Sequence, residues 1–173
     1  MRCDPFDDRF LYDVFCTTWS SQVAALPDQS LARHVLRIQH TAQEQRFASE
    51  YPDHERLVVA RDGERVGRLY LFQTPSSVHV VDLTLLPRAR SQGIGTRVFA
   101  DLMGSAAADG RSLTARVSRR NTGAIGLCAA LGFRLDSVDD LDSFLSWSAA
   151  DAGRTDRTSG VTAASGSPVP ADC

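Results

Sequence analysis

The run VHVVDLTLLPRARSQGIG, from Val78 to Gly95, limits what this chain can fold into more than any other stretch. Val78 to Leu86 is dense in β-branched and aliphatic residues, the composition of a strand covered on both faces. Pro87 has no N–H to donate and ends it. Arg90-Ser91-Gln92-Gly93-Ile94-Gly95 follows as a glycine-rich turn. Ile94, Val98 and Leu102, with Phe99 and Met103 half a turn round, then supply a helical apolar face. A strand, a glycine turn and a helix start together make an anion site, because free backbone N–H groups and the helix dipole both favour negative charge there.

Two common phosphate loops do not fit. No Gly-Lys-Ser/Thr follows, and the chain contains no lysine at all. A dinucleotide fingerprint needs a third glycine and an acidic residue closing a second strand, and both are missing. The turn instead resembles the R/Q-x-x-G-x-G/A loop of the GNAT superfamily of acyl-CoA-dependent N-acetyltransferases. Arg90, Gly93 and Gly95 fall on its defining positions, and Leu83-Thr84-Leu85-Leu86-Pro87 matches the hydrophobic strand end and proline before it.

A second segment agrees. Asn121, Ala124 and Leu127, then Gly132-Phe133, match the family's N-x-x-A-x-x-L-Y-x-x-x-G-F pattern at every position but one. The exception is Cys128, which stands where the family has the tyrosine that protonates the departing CoA thiolate. Its helix face (Ala124, Leu127, Cys128, Leu131) is apolar, so a small buried hydrophobe is the competing reading. The resemblance covers roughly Leu57 to Trp147.

The chain has 173 residues, enough for one domain with a real core. A formal net charge of −2 offers no basic footprint for nucleic acid. No apolar run approaches the roughly 20 residues that span a bilayer, and the acidic start MRCDPFDDRF is no signal peptide. Cys3, Cys16, Cys128 and Cys173 are scattered, with no C-x-x-C or Cys/His cluster, so neither a metal site nor a disulfide framework is expected. A cytoplasmic compartment is the expectation, and a homodimer is left open.

Read in order, Phe10 to Thr17 is expected as a first strand and Trp19 to Leu26 as a short helix closed by Pro27. Asp28 or Ser30 caps a longer helix to about Glu50, with Leu31, Val35, Ile38 and Ala42 as its stripe. Asp62-Gly63 joins the strands Leu57–Arg61 and Arg65–Phe72 as a hairpin. After the glycine-loop helix come a strand at Leu113–Val117, a helix from Asn121 to Leu131, and strands at Phe133–Val138 and Leu141–Trp147. One domain over residues 1–148 and a disordered tail over 149–173, rich in Pro, Gly and Ser, complete the expected plan. The fold class is α/β: a GNAT-like, mostly antiparallel sheet of about seven strands flanked by helices. The crossover rule makes the Val78 and Leu113 strands parallel partners. The resemblance adds that these two splay apart to admit the pantetheine arm of acyl-CoA.

The resemblance implies acetyl-CoA as cosubstrate, an amine acceptor, and transfer by direct attack in a ternary complex. Backbone amides of Ser91, Gln92, Gly93, Ile94, Gly95 and Thr96 would cradle the diphosphate, with Arg90 and Arg88 as charge partners or plain loop arginines. Asn121 belongs to the second motif. The main chain of Leu83 would hold the oxyanion and Leu85 the pantetheine. Strand alternation places His79, Val81, Leu83 and Leu85 on one face, and Val80, Asp82 and Thr84 on the other. His79 is therefore the candidate base, and Asp82 is either its rival or a structural pair partner. The alternative function is a CoA-binding, catalytically weak protein with a regulatory or partner-binding role, which the cysteine at 128 favours.

Overall fold

The structure is a computed structural model that describes residues 8–26 and 28–151. Its elements are α1 (Asp8–Ala24), α2 (Gln29–Glu50), β1 (Glu55–Arg61), β2 (Glu64–Gln73), β3 (Ser77–Leu85), α3 (Ile94–Ala108), β4 (Ser112–Ser118), α4 (Thr122–Ala130), β5 (Arg134–Val138) and β6 (Asp142–Trp147). A single 3-10 turn at Pro87–Ala89 precedes α3. The strands form one sheet in the order β1-β2-β3-β4-β6-β5. Every neighbouring pair is antiparallel except β3 and β4, which run parallel as the crossover rule requires.

The first expected strand is a helix. Phe10 to Thr17 lies inside α1, and the expected Trp19–Leu26 helix is mostly its continuation, to Ala24. Leu11, Val14 and Phe15 stand at helical rather than alternating spacing, and all three are buried. The sheet therefore has six strands among the described residues, not about seven. The other boundaries follow local chemistry. The Asp28 carboxylate accepts from the Ser30 N–H at 2.8 Å and caps α2, while Asn121 caps α4 by accepting from the Ala124 N–H at 3.1 Å. Asp62 and Gly63 both take positive φ, 52° and 80°, to turn β1 into β2.

The helices split between the two faces of the sheet. On one face α3 and α4 cover a core that includes Leu69, Val80, Phe99, Leu113 and Cys128. On the other, α1 and α2 pack over Leu11, Phe47 and Tyr70. Arg68 is buried on that second face, 1% exposed, with its Nε donating to Asp82 Oδ2 at 2.8 Å and its Nη2 to Gln43 at 2.9 Å. No helix among the described residues is long and apolar enough to cross a membrane. Of the expected 149–173 tail, Ala149 to Asp151 form a helical turn in which the Ser148 hydroxyl donates to the Asp151 carboxylate; the rest lies outside the described residues.

Gly67 sits on β2 opposite Leu85. A Cβ built there would meet the Thr84 carbonyl oxygen at 2.4 Å and the Leu85 side chain at 2.7 Å. Backbone cannot yield as a side-chain tip does, so Gly67→Ala is expected to cost about 1–3 kcal/mol in urea unfolding. An unchanged midpoint would show that β3 moves aside freely at this point.

Candidate active site

The site begins where two strands part. β3 and β4 pair from Ser77↔Ser112 to Val80↔Ala115 and no further. Beyond that point β3 runs on to Leu85 and β4 to Ser118 without meeting. The edge of β3 that faces β4 therefore presents unmatched main-chain groups from Val81 onward.

A β-bulge sits at the same point. Tyr70 pairs with Asp82 but Leu71 pairs with Val80, which leaves Val81 as an extra residue. The bulge breaks the two-residue alternation and corrects the expected faces. Val80 and Leu83, expected on opposite faces, both pack on the α3 side. His79 and Asp82 both fall on the α1/α2 side: His79 stacks on Tyr51, the residue ending α2, at 4.8 Å, and Asp82 holds Arg68. His79 and Leu83 do not share a face.

A cavity of about 970 Å³ occupies the parting. Its walls include Leu83 and Leu85 from β3, Ala115 and Val117 from β4, and Leu127 and Cys128 from α4. One end is closed by Arg90, Ser91 and the Gly93–Thr96 turn, with Asn121 nearby at the N-cap of α4. The other reaches the α1/α2 side of the sheet at Phe47, Glu50, Tyr51 and Asp82. The opening thus runs from a helix N-terminus to a polar mouth between helices.

The turn is built to leave amides free. Ser91 (φ 57°) and Gly93 (φ 74°) are left-handed, and Gly93 stands at the N-cap of α3 with no side chain to satisfy the first helical N–H groups. The first intrahelical bond is from the Arg97 N–H to the Gly93 carbonyl, so the amides of Ile94, Gly95 and Thr96 precede the ladder. Three neighbours hold the turn in shape. Arg90 Nε donates to the Leu85 carbonyl at 2.9 Å, and the Gln92 amide donates to the Arg88 carbonyl at 2.6 Å and accepts from Arg61 at 2.8 Å. Arg88 is taken by Glu64 at 2.9 Å. Neither Gln92 nor Arg88 lines the cavity.

Among the titratable candidates, Asp82 lines the cavity and His79 does not. Burial raises the Asp82 pKa, while the Arg68 guanidinium and the Thr84 hydroxyl pull it back down. His79 offers Nδ1 to the Thr114 hydroxyl at 2.8 Å, and its Nε2 is buried without a hydrogen-bond partner. Burial lowers its pKa and the Arg116 charge lowers it further. Cys128 is 1% exposed, and burial alone pushes its thiol pKa up, so it is a neutral thiol in the wall. His40 is likewise lowered, chiefly by burial.

Both histidines bind protons more readily once the chain unfolds. Stability is therefore expected to fall as pH drops below their ordinary pKa of about 6.5, levelling only below the depressed folded values. Urea midpoints measured between neutral pH and pH ~5 should show this slope, and His40→Gln/His79→Gln should flatten it. An equal slope in the double variant would assign the effect elsewhere.

The sequence profile of the Acetyltransferase (GNAT) family matches residues 12–133. The chain belongs to the GNAT acetyltransferase family. The match takes in most of α1 and all of α2, which lie outside the motif-bearing Leu57–Trp147 span. No curated protein matches the sequence closely, whereas many solved structures match the fold. The PaiA N-acetyltransferase from Thermoplasma acidophilum, solved in complex with coenzyme A, superposes with a TM-score of 0.63 at 17% identity, covering 86% of this chain and 96% of its own. An acetyltransferase from Thermus thermophilus gives 0.58 at 18% identity, covering 84% and 93%. A GNAT acetyltransferase from Elizabethkingia anophelis with acetyl-CoA bound gives 0.52 at 15% identity, covering 60% and 82%.

The GNAT chain also brings residues to the cavity that carry no sequence motif. Arg46, Glu50 and Tyr51 come from the end of α2, and Arg116 and Asp142 from β4 and β6. Arg116 binds Asp142 at 2.7 Å and Glu50 at 3.5 Å. The sequence ends this helix at about Glu50, but nothing there says that this end meets the sheet opening.

Proposed function

We propose that the protein is an N-acetyltransferase that moves the acetyl group of acetyl-CoA to a primary amine by direct attack in a ternary complex. The observation that carries this reading is the continuous opening between β3 and β4, with free helix amides at one end and polar helix surface at the other. The coenzyme A and acetyl-CoA in the T. acidophilum and E. anophelis structures support the same cosubstrate here.

In this reading the amides from Ser91 to Thr96 hold the diphosphate, and the helix dipole adds to the attraction. Arg90, Gln92 and Asn121 keep the turn and α4 in place. The pantetheine arm passes along Leu83 and Leu85, whose unmatched main-chain N–H groups offer donors to the thioester oxygen. The amine nitrogen bonds to the thioester carbon, and the C–S bond then breaks to release the thiolate. The nitrogen's proton goes through water to Asp82, the cavity-lining carboxylate on β3. His79 lies behind Tyr51 and backs its ring. Cys128 forms apolar wall and carries no acyl group, since no base faces its thiol. A thiol titrating near ~8.5 is a tolerable leaving group without a tyrosine at 128.

The test is release of free CoA thiol from acetyl-CoA, with and without added amines. Amine-dependent release supports the enzyme. Tight acetyl-CoA binding with no release for any amine would favour the reading that Cys128 suggests, a CoA-binding protein of little catalytic power.

A further inference from the structure

The charges at the amine-facing mouth of the cavity do not pair one to one. Among the described residues three carboxylates line the cavity, and two arginines, Arg68 and Arg116, hold all three. Asp82 pairs with Arg68 at 2.8 Å, Asp142 with Arg116 at 2.7 Å, and Glu50 with the same Arg116 at 3.5 Å. Arg46 also lines the cavity and has no carboxylate partner among the described residues. Arg46 is exposed, one helical turn before Glu50, and its guanidinium lies over the ring of buried Phe47, 5.3 Å from the centroid.

The nearby hydroxyls from α1 do not change this balance. Thr17 and Thr18 donate to the Val14 and Phe15 carbonyls at 2.7 Å, and Ser20 donates to Thr17 at 3.1 Å. Their protons are spent within the helix, so they offer lone pairs and no donors to an incoming anion. A cationic substrate such as a polyamine would find no unpaired carboxylate in this mouth. An anionic group would find the Arg46 guanidinium, unpaired among the described residues and suited to planar or phosphate oxygens.

Resting on the acetyltransferase reading, we propose that the acceptor is an amine that also carries an anionic group, a carboxylate or phosphate, bound by Arg46. The amine then lies on the Asp82 side of the mouth and the anion on the Arg46 side. Arg46 is here a specificity residue and takes no part in the chemistry.

The experiment compares matched acceptors in the amine-dependent thiol-release assay, corrected for the neutral fraction of each amine. Amino acids are set against their amides, phosphoethanolamine against ethanolamine, and a polyamine is included. The anionic member of at least one pair should be preferred in kcat/KM by roughly tenfold or more, through KM. Arg46→Gln should bring that ratio close to one while acetyl-CoA affinity and kcat are kept. Preference for the polyamine or the uncharged amines, or a ratio unmoved by Arg46→Gln, would overturn the assignment while leaving the transferase intact. Acetylation of none of these acceptors would also overturn it. Failure to bind acetyl-CoA at all, read by calorimetry, would instead overturn the transferase reading beneath it.

Discussion

Gly95→Asp is expected to weaken acetyl-CoA binding by about a hundredfold or more while leaving the fold as stable as before. Gly95 is the second residue of α3 and lines the cavity at the turn. A carboxylate in that first turn favours the helix itself by about 0.3–1 kcal/mol, because it answers the dipole. The same charge faces the position assigned to the diphosphate. Two like charges some 4 Å apart at a protein surface repel by about 4 kcal/mol, so an affinity loss on the order of a hundredfold or more is expected. A Cβ here meets only the tip of the Leu127 side chain, at 3.3 Å, a tight contact relieved when that tip shifts by a few tenths of an ångström. Gly95→Ala is therefore the control and should bind nearly as well as the native chain. Calorimetry with acetyl-CoA and urea unfolding give the two readouts. Retained affinity in Gly95→Asp would move the diphosphate away from this turn.

Arg68→Met is expected to produce the largest loss of stability, about 3–5 kcal/mol, because it strands a buried carboxylate. Arg68 is 1% exposed and the Asp82 side chain 18%. Without the guanidinium, Asp82 keeps only the Thr84 hydroxyl, at 3.2 Å. Gln43 loses its donor as well. Adding Asp82→Asn to Arg68→Met removes the stranded charge and should recover part of the loss. If Arg68→Met were as stable as the native chain, the pair would be solvated in solution and Asp82 would not be held at the opening as described.

The two halves of this molecule were unequally legible. Short-range chemistry was plain: Asp62-Gly63 announced a hairpin, and Asp28 and Asn121 announced helix starts through their own side-chain oxygens. The turn from Arg90 to Gly95 was legible for the same reason, since left-handed backbone at Gly93 needs a glycine nearby in sequence and nothing remote. α1 was misread because its aromatic and β-branched residues suit strands, although Leu11, Val14 and Phe15 already stood at helical spacing.

The bulge at Val81 could not be read at all. It is a property of how β3 pairs with β2, and one unmatched residue reverses every later face. The expected partnership of His79 with Leu83 failed for that reason alone. Arg46, Glu50 and Tyr51 escaped notice because their nearness to β3 depends on where α2 docks across the sheet, which no local pattern records.

The most direct measurement is a crystal structure of the protein with CoA. The account predicts diphosphate oxygens within about 3 Å of amides between Ser91 and Thr96, and the pantetheine arm passing through the parting beyond Val80 and Ala115. CoA bound at another surface, or β3 and β4 paired along their full length in the complex, would contradict it.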